Sequence, residues 1–235
     1  MQLAYDSGFL QALSDLSTIT EEILLQKTEN GIEVKAGDKG RTVLYHLTAP
    51  AEKFPADKNC AFHDYGRFFA KFCLFEDPQV DLNDDASVMT ITSGNRSATH
   101  NLASLSVVKA PFTQVRIPST DVEFSLTADL IKKLRELAGV NYFDANRVVF
   151  SFSENELGIV LRSTRHENTY RDKSADSIKE FKADQDFSIE FDIKALQLLP
   201  LTDYKVFVAK DGIMKLEMIR KDDISVLIYI AKVID

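Results

Sequence analysis

The 235-residue chain has room for one large domain or for two of about 100–150 residues each. Its hydrophobic and charged fractions, 45% and 27%, are those of a globular protein, and no apolar run reaches the roughly 18 residues of a membrane-spanning helix. A net charge of −8 excludes a uniformly basic nucleic-acid binder, so a role on nucleic acid requires the cations to be gathered on one surface.

In chain order the first recognisable element is a helix over about Ser7–Leu16, with Phe9, Leu10, Leu13 and Leu16 at helical spacing. The N-terminal stretch holds acidic residues and no basic segment, so it reads as part of the fold rather than as a secretory signal, and the protein is expected in the cytoplasm. Strand-like runs follow at 22–27, 31–36 and 42–48, alternating apolar and polar residues. Asn30-Gly31 supplies the positive φ of a hairpin turn, and Gly37-Asp38-Lys39-Gly40 a looser one. A second helix spans about Tyr65–Leu74, capped by Asp64, with Phe68, Phe69 and Phe72 on one face. Cys73, set among Phe72, Leu74 and Phe75, is expected to be a buried thiol, and Cys60 and Cys73 are both expected to stay reduced. Runs at 87–93 and 97–105 close the first half.

Residues 106–121 read as an extended connector, because Pro111 and Pro118 interrupt strand pairing. Beyond it lie a strand at 122–127 and a third helix over Ala128–Ala138, with Thr127 as N-cap, Gly139 as stop, and Leu130, Ile131, Leu134 and Leu137 as its stripe. Strands follow at 147–153, 157–163 and 186–192, then a fourth helix over Ile193–Leu199, capped by Asp192 and ended before Pro200. Strands at 204–210, 214–220 and 224–231 complete the chain, the first two joined at Asp211-Gly212.

The order of elements repeats. SGFLQALSDL corresponds to TADLIKKLREL, and CAFHDYGRFFAKF to FSIEFDIKALQLL, with little identity of residues. The expectation is an α+β protein of two similar domains, 1–105 and 122–235, each an antiparallel sheet with two helices segregated to one face.

The cations gather on the helices. Projected at about 100° per residue, the third helix points Lys132 away from its apolar stripe, with Lys133 and Arg135 flanking it. Arg67 and Lys71, four apart, share the face of the second helix opposite Phe68 and Phe72, and Lys194 lies on the fourth. The first helix has no Lys or Arg. Any one of these faces would look the same as an ordinary solvated surface; together they mark a cationic surface on an acidic protein. Flexible Lys and Arg attract phosphates without reading bases, which permits sliding along a duplex.

Enzyme signatures are lacking. There is no phosphate-binding G-x-x-x-x-G-K-[ST], no G-x-S-x-G and no H-E-x-x-H, and His46, His63, His100 and His166 have no metal-ligand spacing. His63-Asp64 and Asp84-Asp85 are polar pairs without a partner motif, and Asn95-Arg96-Ser97 is a glycosylation sequon without a secretory context. No cofactor is implied.

This arrangement resembles the sliding clamps of DNA replication, most closely the T-even bacteriophage type and more distantly proliferating cell nuclear antigen. The resemblance covers the whole chain as an order of elements, and is most specific in VEFSLTADLIKKL (122–134) and FDIKALQLLPLTDYKVFVAKDGIMKLEM (191–218). It implies a head-to-tail homotrimeric ring around double-stranded DNA, with helices lining the hole. It places the DNA-facing role on Arg67, Lys71, Lys132, Lys133, Arg135 and Lys194. The subunit join implied is between edge strands at 97–105 and about 164–172. The resemblance further implies that DNA polymerase docks a peptide in an apolar groove at Val108, Ile117 and Pro118 of the connector and Ile224, Val233 and Ile234 near the end. An ATP-dependent clamp loader would open the ring, and the clamp itself would need no nucleotide. Two other readings stay open on residues alone: a single-subunit processivity factor of the same fold, and a strand-rich assembly protein that never touches DNA. The apolar connector residues would equally serve to seal the two domains.

Overall fold

The computed structural model describes residues 7–53, 58–108, 110, 115, 119–139, 145–153, 156–165, 169–174 and 178–233. The chain divides into two compact units, Met1–Thr113 with Arg220–Val226, and Gln114–Ile219 with Leu227–Asp235.

The first unit begins with α1 (Ser7–Ser17), whose stripe of Phe9, Leu13 and Leu16 is completely buried. Strands β1 (Ile23–Thr28), β2 (Gly31–Gly37) and β3 (Val43–Ala49) form an antiparallel meander, with Leu25 opposite Val34 and Val34 opposite Leu47. Alternation is visible in the burial of β2 and β3, where Val34, Ala36, Val43, Tyr45 and Leu47 face the core. Gly31 is required at the first turn: its φ is 134°, and a Cβ there would lie 2.2 Å from the Ala49 carbonyl oxygen. The three-residue β4 (Cys60–Phe62) extends the sheet beyond β1, at the place where the correspondence of CAFHDYGRFFAKF with FSIEFDIKALQLL puts a short strand. Then come α2 (Tyr65–Phe72), which packs on α1, and a separate sheet of β5 (Gln79–Leu82), β6 (Val88–Ser93) and β7 (Arg96–Asn101).

Polar ties hold Arg220–Val226 to this unit. The Arg220 guanidinium donates to the Gly8 carbonyl at 3.0 Å, and Lys53 pairs with Asp223 at 2.9 Å.

The second unit holds β8 (Val122–Leu126), α3 (Ala128–Ala138), β9 (Arg147–Ser153), β10 (Glu156–Arg162), β11 (Thr169–Ser174), β12 (Ile178–Phe181) and β13 (Phe187–Asp192). It continues through α4 (Ile193–Leu198), β14 (Tyr204–Ala209), β15 (Ile213–Met218) and β16 (Ser225–Ala231). One sheet runs β12-β8-β14-β15-β16 and the other β11-β10-β9-β13, all neighbours antiparallel. The core is aromatic: Phe124, Phe150, Phe152 and Phe191 are almost wholly buried, with ring centroids 5.7–6.4 Å apart among the contacting pairs. Both units are therefore α+β, with antiparallel sheets and, among the described residues, two short α-helices each, as the order of elements implies.

Candidate nucleic-acid interface and partner site

Each cation-bearing helix is fixed by its cap and its buried stripe. On α3 the Thr127 hydroxyl accepts the Leu130 N–H at 3.2 Å, and Asp203 accepts the Ala128 N–H at 2.8 Å. Ile131 and Leu134 are completely buried, which turns Lys132 and Lys133 to solvent. Lys132 lies 4.0 Å from Glu136 in a weak exposed pair, and the Lys133 ammonium sits 5.9 Å from the Tyr170 ring centroid on β11.

Arg135 is placed differently from its neighbours. It is half-buried, with Nε donating to the Leu196 carbonyl at 2.7 Å and Nη2 to the Leu199 carbonyl, so its fork satisfies the C-terminal end of α4. Burial lowers its pKa from the usual arginine value. On α4, Asp192 caps by accepting the Lys194 N–H at 2.9 Å, and the Lys194 side chain is exposed.

In the first unit Asp64 caps α2 by accepting the Arg67 N–H at 3.0 Å, while the Arg67 Nε pairs with the other carboxylate oxygen at 2.8 Å. The Arg67 side chain is 82% exposed, so this pair leaves it open to solvent and salt. Lys71, one turn on, is half-buried and donates to the Thr99 carbonyl of β7 at 2.9 Å. Helices α2, α3 and α4 thus carry all six expected cations against only Asp129 and Glu136 within their bounds. Lys132, Lys133 and Lys194 are exposed together on α3 and α4; Arg67 and Lys71 belong to the other unit; Arg135 and Lys71 are engaged with backbone carbonyls.

The expected groove residues are scattered by burial. Val108 is 2% exposed, packed with Leu24 and Ala61 and covered by Ala103 and Ala110, and Ile224 is 3% exposed. Val233 is half-buried and its N–H donates to the Glu190 carbonyl at 3.0 Å, just after Lys232 donates to Gly212 at 2.8 Å. Ile117, Pro118 and Ile234 lie outside the described residues. Beside Val108 and Ala110 a cleft of about 720 Å³ opens in the first unit, walled by Thr20, Lys35, Gly37, Asp38 and Arg41. Sequence reasoning treats 37–40 only as a turn. No local signal marks it as a wall, because the cleft arises where the β2–β3 turn meets the chain after β7.

The expectation of a buried Cys73 is not met, and Cys60 is the buried thiol. Cys60 is buried, and burial pushes its thiol up to about 12. Cys73 is exposed, because α2 ends at Phe72 and Cys73 is its C-cap, one step around from the buried face. Among the described residues no group of three or more His, Cys, Asp or Glu could hold a metal ion, and no helix is long and apolar enough to cross a membrane.

No protein-family model matches the chain. No curated protein matches it in sequence. Solved structures do match in fold. The A. fulgidus PCNA bound to the C-terminal region of FEN-1 superimposes with a TM-score of 0.75 at 12% identity, over 98% of this chain and 97% of that one. PCNA from Entamoeba histolytica gives 0.74 at 12% identity over 96% and 95%, and PCNA from Thermococcus kodakaraensis gives 0.72 at 17% identity over 97% and 98%. Over nearly its whole length the chain has the fold of the PCNA-type clamps.

Proposed function

We propose that this chain is a sliding clamp, a non-enzymatic processivity factor that encircles double-stranded DNA and tethers a replicative DNA polymerase. The observation that carries the reading is the fold match across 98% of this chain and 97% of a PCNA subunit, with a TM-score of 0.75. The exposed cations support it. Lys132, Lys133, Lys194 and Arg67 sit on helix faces of a protein whose net charge is −8, an arrangement suited to phosphate contact without base recognition. Lys71 and Arg135 belong to the same proposed DNA-facing set, with Arg135 contributing mainly by holding α3 to α4.

In this reading residues 1–105 and 122–235 are the two clamp domains, joined by 106–121. The subunit is one of three in a head-to-tail homotrimer, joined by the edge segment 97–105 of one copy, which includes most of β7, and about 164–172 of the next, which includes the start of β11. An ATP-dependent loader opens the ring, and the T-even bacteriophage type is the finer resemblance, placing the protein in a bacterial cytoplasm. The matching A. fulgidus protein binds the C-terminal region of FEN-1. By analogy the polymerase would dock a short peptide at Ile117 and Pro118 of the connector and at Val233 and Ile234 near the end, because Val108 and Ile224 are buried and offer a peptide no surface.

The test is polymerase extension on primed circular and linear templates of equal sequence, with and without a loader. A clamp gives long products on the circle and loses them on the linear template, where it runs off the ends. Equal stimulation on both templates would point to a factor held by contact rather than by topology.

A further inference from the structure

Among the described residues β7 is an edge of the sheet β5-β6-β7. Its register fixes which backbone groups point outward. Leu102 donates to the Ser87 carbonyl at 2.7 Å, and the same pairing sets His100 opposite Met89 and Ala98 opposite Ile91. Antiparallel residues alternate between hydrogen-bonded and non-hydrogen-bonded pairs. Ser97, Thr99 and Asn101 therefore turn their N–H and C=O groups away from β6. Among the described residues no backbone group pairs with them. Such an edge is a template for another strand. Its middle carbonyl is already engaged, because Lys71 reaches from the last turn of α2 and donates to Thr99 at 2.9 Å. A second observation places the ammonium against β7: burial, and then the Lys71 charge, hold the neighbouring His100 below the usual histidine range.

We infer that Lys71 guards the β7 edge in the unassembled chain and is displaced when a second copy of this chain adds a strand there. The inference rests on the clamp reading for the identity of the incoming strand. On pairing, the Thr99 carbonyl accepts a backbone N–H in place of the ammonium. The released ammonium then swings back over α2, where Arg67 lies four residues earlier on the same face. Assembly and exposure of positive charge are thereby coupled. A lone chain holds Lys71 against its own edge, and a joined chain presents it to DNA.

The test compares Lys71→Met, which keeps the length and apolar stem but removes the donor, with Lys71→Arg, which keeps a donor. Sedimentation equilibrium should show the Met variant self-associating about three- to tenfold more tightly than wild type, the effect of losing one partly exposed charge-assisted competitor. The Arg variant should stay near wild type. Amide exchange should show Ser97, Thr99 and Asn101 becoming protected on association in all three proteins. A Met variant that associates equally or more weakly, in a wild type that does protect these amides, overturns the guard and leaves the ring intact. Association without protection of β7 amides, or no association of wild type and variant at any concentration, overturns both the guard and the subunit join.

Discussion

Replacing Arg135 by alanine separates two roles that share one helix. The guanidinium donates to the Leu196 and Leu199 carbonyls, which have no donor from within α4 because they end it. Truncation leaves two acceptors in a half-buried place. A hydrogen bond from a charged donor contributes about 1.5–3 kcal/mol, and water entering the partly open site recovers some of that loss, so the two together stabilise the second unit by about 2–3 kcal/mol. Lysine has the charge without the fork, and Arg135→Lys should restore less than half of the loss. Lys132→Ala is the control: it removes an exposed side chain 4.0 Å from Glu136 and should change stability by less than about 0.5 kcal/mol. Urea unfolding with amide exchange read at α3 and α4 measures both. Equal urea midpoints for Arg135→Ala and Lys132→Ala would refute the reasoning, and Arg135 would then be a surface cation like its neighbours.

Charge reversal of Arg67, Lys132 and Lys133 to Glu should abolish polymerase stimulation on a circular template while leaving sedimentation unchanged; full stimulation would remove the DNA role from these residues. Deleting Val233–Asp235 should weaken polymerase binding more than self-association, measured by surface capture and sedimentation, and unchanged binding would put the partner site elsewhere. Burial raises the Asp15 carboxyl above 3.8, opposed by the hydrogen bond from Gln11 and the charge of Arg220. The folded chain then binds this proton more readily than the unfolded chain, so stability falls as pH rises from 3.8 through the raised value. Asp15→Asn should accordingly be more stable than wild type at pH 7, with the gain vanishing below pH 3.8; urea midpoints across that range check the sign.

The helices and most strands were legible because burial imposes a period. Ile131 and Leu134 are buried and Lys132 and Lys133 exposed, as the projection of α3 required. The turns at Gly31 and Gly212, with φ of 134° and 102°, are where Asn-Gly and Asp-Gly pairs placed them. What escaped has no periodic signature. β5 and β12 are four residues each, too short to establish alternation. A helical projection gives the direction of Arg135 but not what stands there, and the carbonyls it meets come from 61 and 64 residues away in sequence. Lys71 has the same history: the α2 pattern places it on the polar face, and only the position of β7 reveals its acceptor. Cys73 is exposed despite its apolar neighbours in sequence, which say little about a residue that follows the last turn of a helix.

The attachment of Arg220–Val226 to the first unit bears on how this protein is made. A ribosome releases the chain from the N-terminus, so residues 1–113 emerge long before the segment that gives Arg220 to Gly8 and Asp223 to Lys53. Until residues 220–223 have been translated, the nascent first unit waits with α1 lacking its distant anchor. The sequence separation of that closure, 212 residues between Gly8 and Arg220, makes it a slow late step rather than an early one. Nascent chains stalled near residue 150 should therefore be protease-sensitive at α1, and gain resistance only once residue 226 has cleared the exit tunnel.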